Sequence, residues 1–408
     1  MVGRRWRAAI SLSWKLLTMP DGVSGGRAPL RVLSVGVNWF DAGSGGLDRV
    51  FHDLASNFQQ AGVQAHGLVL GPPDAALRSD GLVSAFGQGG TLPSRLWQAR
   101  RAVAAQLAAD NPDLVAVHFA LFGLPALDIL RHRPLVMHFH GPWADEAGLE
   151  GAGALGQAIR RRIERAVYRR AGRVITLSHA FAAYVSTTYG VDPRRVRVVP
   201  GSVDIARMAP AMSREAARAQ LGWPADARIM LAVRRLVRRM GLNRLIEAMP
   251  AISAARPETV LMIAGRGPEQ ATLQKLAASC GVCAKVRFLG FLPDEDLPLA
   301  YRAADINVVP SLALEGFGLT AAESLAAGTA SMVTPVGGLP EVVAPLSPRL
   351  VFRSAQPHDI ASGLIAALEQ GVPDEAACLH HARTHFAPAR AAGDVAQIYR
   401  DAAFCHAI

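Results

Sequence analysis

The sequence predicts an α/β protein built from two doubly wound parallel-sheet domains that face each other across a cleft. Three observations predict it. The chain has 408 residues, more than one core holds and enough for two domains of about 150–200 residues each. Half of the residues are hydrophobic and 19% are charged, the balance of a well-buried globular chain. Short runs rich in Val, Ile and Leu, with little polar alternation, recur between segments of helical spacing, and that rhythm runs twice. Strands covered by helices on both faces read this way.

In the first half the predicted strands are LRVLSVGV (30–37), DLVAVHF (113–119), PLVMHFH (134–140), RVITLS (173–178) and RVRVVP (195–200). Helical spacing marks 47–61 and 93–109. A stretch containing Pro and Gly (200–212) separates this series from a second one. There the predicted strands are RIMLAVRR (228–235), TVLMIAG (259–265), KVRFLGF (285–291), DINVVPS (305–311) and ASMVTPV (330–336), with helices over 242–255, 269–279, 297–303 and 319–327. Domains are expected at 30–204 and 205–385, after a basic extension over 1–29. The first 19 residues are basic and moderately apolar, but Lys15 interrupts the apolar stretch and no A-x-A cleavage site follows. They fit an unstructured extension or a weak membrane-surface helix better than a signal peptide.

The net charge of +10, almost all from arginine, suits nucleic acid, an anionic membrane surface or phosphorylated small molecules. No zinc-finger, ribonucleoprotein or basic-zipper pattern accompanies it, so nucleic acid is excluded as a partner. No apolar run reaches the roughly 18 residues of a membrane span. Four cysteines make no disulfide framework, and a reducing cytoplasm is the expected location. Cys280 and Cys283 form a CxxC, but it falls where a helix is expected to end, with Gly281 as its C′ residue. The acidic DED (294–296) reads as helix-capping chemistry, with Asp294 at the N-cap, rather than a metal motif.

Ligands of doubly wound sheets bind beyond the carboxyl ends of the strands, and the suggestive motifs lie there. DAGSGG (41–46) follows the first strand and ends in Gly45 and Gly46. It is not GxGxxG, which argues against a nicotinamide cofactor. AGRGPE (264–269), with Gly265 and Gly267, repeats the glycine-rich turn in the second half. HFHGPW (138–143) places His138 and His140 two residues apart on one strand face, where both could reach the cleft or one could be core. RRLVRRM (234–240) ends the first strand of the second domain, where a guanidinium can grip a diphosphate.

The richest stretch is EGFGLTAAE, Glu315 to Glu323. The helix it opens directs N–H groups of Gly318, Leu319 and Thr320 at whatever sits above it, a position that suits phosphate. The two carboxylates could serve a metal pair, an acid with its base, or a clamp on hydroxyl groups; an ordinary loop and amphipathic helix, with Glu323 paired to a surface arginine and Glu315 solvated, is the alternative.

Taken together, GSGGLDR, FHGPW, YGVDPRRVRVVPGSVD, AGRGPE, FLGFLPDEDLPLAYRAAD, EGFGLTAAES and TPVGGLPE resemble a family 4 glycosyltransferase of the GT-B fold, from about Leu30 to the C-terminus. The resemblance implies two Rossmann-like domains, with a C-terminal helix (about 386–408) crossing back onto the first. It implies a retaining transfer of a hexosyl group from a nucleotide diphosphate sugar to an acceptor hydroxyl on a glycan, glycolipid or small molecule, with no metal and no cofactor. On the matching positions, Glu323 would hold the ribose and Glu315 the transferred sugar. The backbone of Gly316, Phe317, Gly318, Leu319 and Thr320 would touch sugar and diphosphate. Arg235 would neutralise the leaving phosphate, His140 would stand beside the transferred sugar, and Gly45 and Gly46 would line the first domain's side.

The chain departs from the pattern in two places. In the first, Met240 stands where the family usually has lysine, and Arg234 where it has glycine, with Arg239 or Arg238 as candidates for the missing cation; in the second, Ser202 of PGSVD, in the hinge region, stands where asparagine or glycine is usual. A sugar-nucleotide epimerase and a non-catalytic sugar-nucleotide-binding protein remain as alternatives. The arginine-rich 160–173 would suit peripheral contact with an anionic membrane, though its spacing also fits one solvated helix face. Asn38, Trp39 and Phe40, at a strand end, are candidate acceptor contacts.

Overall fold

The structure, a computed structural model, describes residues 28–39, 45–87 and 89–407. The N-terminal basic stretch, Phe40 and most of DAGSGG lie outside the described residues.

Two parallel sheets form the frame. The first contains β1 (Leu30–Val35), β2 (Val63–Val69), β3 (Val83–Ala85), β4 (Leu114–Val117), β5 (Leu135–Phe139), β6 (Arg173–Thr176) and β7 (Val196–Val198), in the order β3-β2-β1-β4-β5-β6-β7. The second contains β8 (Arg228–Val233), β9 (Thr259–Ala264), β10 (Val286–Gly290), β11 (Ile306–Val309) and β12 (Ser331–Val333), in the order β10-β9-β8-β11-β12. In each sheet the order reverses beside its first strand, so the crevices open between β1 and β4 and between β8 and β11.

The strands are apolar on both faces because helices cover both. Ile229, Met230, Leu231 and Ala232 of β8 are each 0% exposed. Two strands escape the apolar signature: β2 reads VQAHGLV, and β3 is three residues long. Their polar member His66 is buried and meets Ser84 Oγ at 3.0 Å, so the pair is satisfied inside the sheet.

The helices that position the cleft are α1 (Gly46–Asn57), α2 (Trp143–Leu149), α3 (Ala154–Arg170), α4 (His179–Tyr189), α5 (Leu297–Ala303), α6 (Leu319–Ala326) and α7 (Pro388–Ala407). The last runs under the first sheet. Its Ala391, Ala392, Val395, Ala396 and Tyr399 share a buried cluster with Val32, Leu114, Ala116 and Val136. Alanine at three of these positions lets the helix approach the strands closely. Among the described residues no helix is long and apolar enough to cross a membrane.

Two local expectations are corrected. α5 begins after Asp296, not Asp294, and Asp294 instead pairs with Arg49 at 3.1 Å and with Arg207. A carboxylate that sequence assigns to a helix end therefore ties the domains together. Trp39 is 5% exposed and packs edge-on against Phe51, and Asn38 bonds Asp48, so these two hold the β1 exit rather than offer a free surface. The CxxC does fall at a helix end: Gly281 takes φ +69°, and Cys280 and Cys283 are free thiols.

Candidate active site

The second-domain wall is built around the N-terminus of α6. β11 ends, the chain loops through Ser311 to Gly318, and the helix opens at Leu319. Leu319 and Thr320 are its first residues, so their N–H groups have no intrahelical acceptor. The loop is held tightly. Leu314 sits at φ +54°, a conformation that costs a branched side chain energy and marks sites where surroundings over-determine the backbone. Gly316 has to be bare, because a Cβ there would lie 2.6 Å from the Phe181 ring and 3.3 Å from the His140 carbonyl oxygen, both in the first domain. Phe317 turns inward, buried against Phe386 at 5.4 Å between ring centroids, so only its backbone faces the loop.

Both predicted carboxylates are present and engaged. Glu323 is 3% exposed, accepts a hydrogen bond from Tyr301 Oη at 3.1 Å, and meets Arg49 of the first domain at 2.5 Å. Burial raises its pKa, and Arg49 works against that shift. Glu315 bonds Ser311 Oγ at 2.7 Å and pairs with Arg234. Burial alone would raise Glu315, but Arg234, Ser311 and Arg239 outweigh it and hold the carboxyl below its ordinary range.

The arginines of 234–239 divide. Arg234, at the end of β8, turns inward with its side chain 5% exposed. Its guanidinium reaches Glu315, Ser311, Thr320 Oγ1 at 3.2 Å and Met240 Sδ at 3.0 Å. Arg239 is nearly as buried and contacts the Leu314 carbonyl and Glu146 Oε1, each at 3.3 Å. Arg235 stays 58% exposed and lies 3.8 Å from Glu150. Glu146 and Glu150 belong to the first domain, on and just after α2. Gly265 and Gly267 complete this wall: a Cβ on Gly265 would lie 1.9 Å from the Arg234 carbonyl oxygen, so the β9 turn must be glycine for the two strand ends to meet.

The first-domain wall brings Arg49, Glu146 and Glu150 to these charges, but its central groups are imidazoles. His140 leaves β5 and its Nε2 meets His118 Nδ1 at 3.1 Å. His118 stands one residue beyond β4, at the sheet's switch point, and stacks on His138 with 4.1 Å between centroids and 11° between planes. His138 Nε2 in turn meets Tyr399 Oη of α7 at 2.7 Å. Burial lowers all three imidazoles: His140 to about 4, His118 and His138 well below their ordinary value with neighbouring rings adding to the effect. They are therefore neutral at neutral pH. Among the described residues they form the one group of metal-ligating types close enough to share an ion. Their stacked planes, however, set the in-plane lone pairs side by side instead of towards one point, and each ring already spends a nitrogen on a protein partner. Tetrahedral coordination needs converging lone pairs at about 2.0 Å, which this stack does not offer.

Of the predicted first-domain glycines, Gly45 caps α1 and Gly46 opens it; a turn later Arg49 crosses to Glu323 and Asp294. A further tie is made by Glu341, whose carboxylate accepts the N–H groups of His179 and Ala180 at 2.9 Å each, at the start of α4. The sequence reading missed His118, Arg49, Glu146, Tyr301 and Glu341. His118 lies one residue before the end of a predicted strand, and Arg49, Tyr301 and Glu341 lie inside GSGGLDR, FLGFLPDEDLPLAYRAAD and TPVGGLPE, so these four had a signal and Glu146 had none.

Two facing parallel sheets with a cleft of this kind define the GT-B architecture. Comparison with known proteins agrees. The family profile described as Glycosyl transferases group 1 matches residues 213–385, and that of Glycosyltransferase Family 4 matches 44–207. A D-inositol 3-phosphate glycosyltransferase of Nocardia farcinica is 32% identical over 322 residues, 75% of this chain and 68% of that protein. A glycogen synthase of Mycobacterium tuberculosis is 32% identical over 278 residues, 67% of this chain and 63% of that protein. The match thus spans under two thirds of the latter's length. The Anabaena protein HepE, solved with UDP and glucose, superimposes with a TM-score of 0.74 at 21% identity, covering 91% of this chain and all of that one. The chain belongs to glycosyltransferase family 4, with the GT-B fold.

Proposed function

We propose that this protein is a retaining, metal-independent glycosyltransferase that moves a hexosyl group from a nucleoside diphosphate sugar to an acceptor hydroxyl. The observation that carries the reading is the grouping of Glu315, Glu323, the α6 N-terminus and the arginines of 234–239 on one wall, opposite His140 on the other. A nucleoside diphosphate sugar has a diol, a diphosphate and a sugar in that sequence. The wall offers a carboxylate for the diol, helix N–H groups with arginines for the diphosphate, and a second carboxylate for the sugar. That a structural neighbour was solved with UDP and glucose supports the donor class.

The mechanism follows from what is near the cleft. The anomeric carbon–oxygen bond to the diphosphate breaks, and the acceptor oxygen bonds to that carbon from the same face. The acceptor proton passes to the departing phosphate oxygen. Charge develops on the diphosphate, where the arginines of 234–239 and the α6 dipole stabilise it, so positioning and electrostatics provide the acceleration. His140, partly buried and kept neutral by desolvation, contributes a hydrogen bond beside the sugar and not a charge. These arginines are the ground for proposing that no metal is needed.

A thermal-shift screen against UDP-, GDP-, ADP- and TDP-sugars in EDTA tests the reading. One donor should stabilise the protein, and Glu323→Ala and Arg235→Ala should abolish the shift. No shift with any donor would overturn it. A donor that binds but is neither transferred nor converted would favour a sugar-nucleotide-binding protein, and conversion without acceptor an epimerase.

Peripheral contact with an anionic membrane belongs to the same proposal, as a route to lipid-linked acceptors. α3 supports it with exposed Leu155 and Ile159 beside exposed Arg162 and Arg165. Several of its arginines have structural duties, Arg161 on Asp145 and Arg170 on the Leu130 carbonyl. Co-sedimentation with vesicles with and without anionic lipid decides the matter: equal recovery in both would remove the membrane from the account.

A further inference from the structure

Two of the residues at which the chain departs from the family pattern are in contact: Arg234 Nη2 lies 3.0 Å from Met240 Sδ. What Arg234 does there is a physical puzzle. A guanidinium with only 5% of its side chain exposed carries a full charge and five donors. It also reaches Thr320 Oγ1 at 3.2 Å, in the first turn of α6. That is the positive end of the helix dipole, where a cation is unfavourable and an anion is favoured. Glu315 supplies the one carboxylate paired with it, while Glu146 and Glu150, from the other domain, face Arg239 and Arg235. The Arg234 Nε is buried without a hydrogen-bond partner. A charged donor buried beside a helix N-terminus, with N–H capacity left over, is arranged for an anion that is not part of the chain.

We infer that Arg234 is a further donor-binding residue, which grips the diphosphate at the α6 N-terminus while holding Glu315 in place. This rests on the functional reading above. Met240 completes the device by being uncharged: its sulfur floors the guanidinium, and a cation at that position would repel it. Arg239, the sequence candidate for the same duty, is directed to Glu146 and the Leu314 carbonyl instead. Because the end of side chain 240 lies within hydrogen-bond distance of the guanidinium, a lysine at 240 would place its ammonium close to the same point once Arg234 were removed. One cation can thus be delivered from either position, but not from both.

The test is a set of four proteins: wild type, Arg234→Gly, Met240→Lys and the double variant. Calorimetric titration with the nucleoside diphosphate chosen by the donor screen, and with its monophosphate, gives the readout. Arg234→Gly should weaken the diphosphate about 30-fold, as expected for a lost charge-assisted contact, and the monophosphate only about 3-fold. The double variant should recover the diphosphate to within about 5-fold of wild type, while Met240→Lys alone should bind no tighter than wild type. Arg234→Met, which keeps the side chain's bulk, stands in if the glycine variant does not fold. Equal losses for both nucleotides, undiminished diphosphate binding in Arg234→Gly or Arg234→Met, or no recovery in the double variant would overturn this inference alone. A wild type that binds no nucleoside diphosphate would overturn it together with the functional reading.

Discussion

The walls of the cleft face each other but are built from opposite materials. On the first-domain side the central groups are aromatic rings, His118, His138 and His140, kept neutral by burial and joined to each other and to Tyr399 by stacking and hydrogen bonds. On the second-domain side they are full charges, Glu315, Glu323, Arg234 and Arg239, each with an opposite charge in contact. The difference teaches where the wall's stability comes from. Neutral rings hold as long as they stay neutral, so the first wall responds to acid. Paired charges, of which Arg49–Glu323 and Arg239–Glu146 cross between domains, hold as long as they are not screened or out-competed, so the second responds to salt and to charged ligands.

The largest effect is expected on the charged side. Glu323→Gln keeps the shape and one acceptor but removes the charge that Tyr301 and Arg49 meet, and donor affinity should fall about 100-fold. Titration of the donor into the variant checks it; retained affinity would leave the diol without its partner on this wall. The next effect belongs to the rings. His140 has its folded pKa lowered to about 4, against about 6.5 for an unfolded histidine. Between those values the unfolded chain binds the proton and the folded chain does not, so stability is full above about pH 6.5 and is lost as the pH falls towards 4. The first domain's thermal midpoint should therefore drop by several degrees over that window. In His118→Phe, which preserves stacking area but cannot titrate, the drop should be smaller. An identical pH slope in the variant would show that the stack does not set it.

The same contrast explains what could be read from the sequence. The strands with continuous apolar runs were legible, as was the EGFGLTAAE loop, because glycine spacing and carboxylates at a strand–helix junction have few other uses. β2 was not, since Gln64, His66 and Gly67 break its apolar run and their burial depends on β1 and β3 beside them. His140 was legible by its place at a strand end, whereas Tyr399, which meets the neighbouring His138, comes from a helix 261 residues further along, and no local pattern announces such a contact. Arg234 and Met240 were visible only as two irregularities. That they meet is a property of the turn between β8 and the loop after β11, which periodicity does not encode. Asp294 misled because a helix-capping position and an inter-domain ion pair use the same residue type.

The smallest predicted effect joins the two walls. Arg49 holds Glu323 and Asp294 from across the cleft, on a carboxylate that the functional reading gives to the donor's ribose. Donor and Arg49 then compete for one oxygen pair, and part of the donor's binding is spent on displacing the arginine. Arg49→Met should release that competition and tighten the donor about 3-fold to 10-fold, the scale of a partly screened ion pair. The same variant should scatter X-rays as a slightly more open particle, because a tie between the domains is gone. Salt near 1 M, which shortens the Debye length to about 3 Å, should loosen the exposed Arg49–Asp294 contact in the wild type and bring its scattering towards that of the variant. If Arg49→Met binds the donor more weakly instead, Arg49 is itself a donor contact. The charged wall would then extend onto the first domain, and the division between the two sides would have to be redrawn around α1.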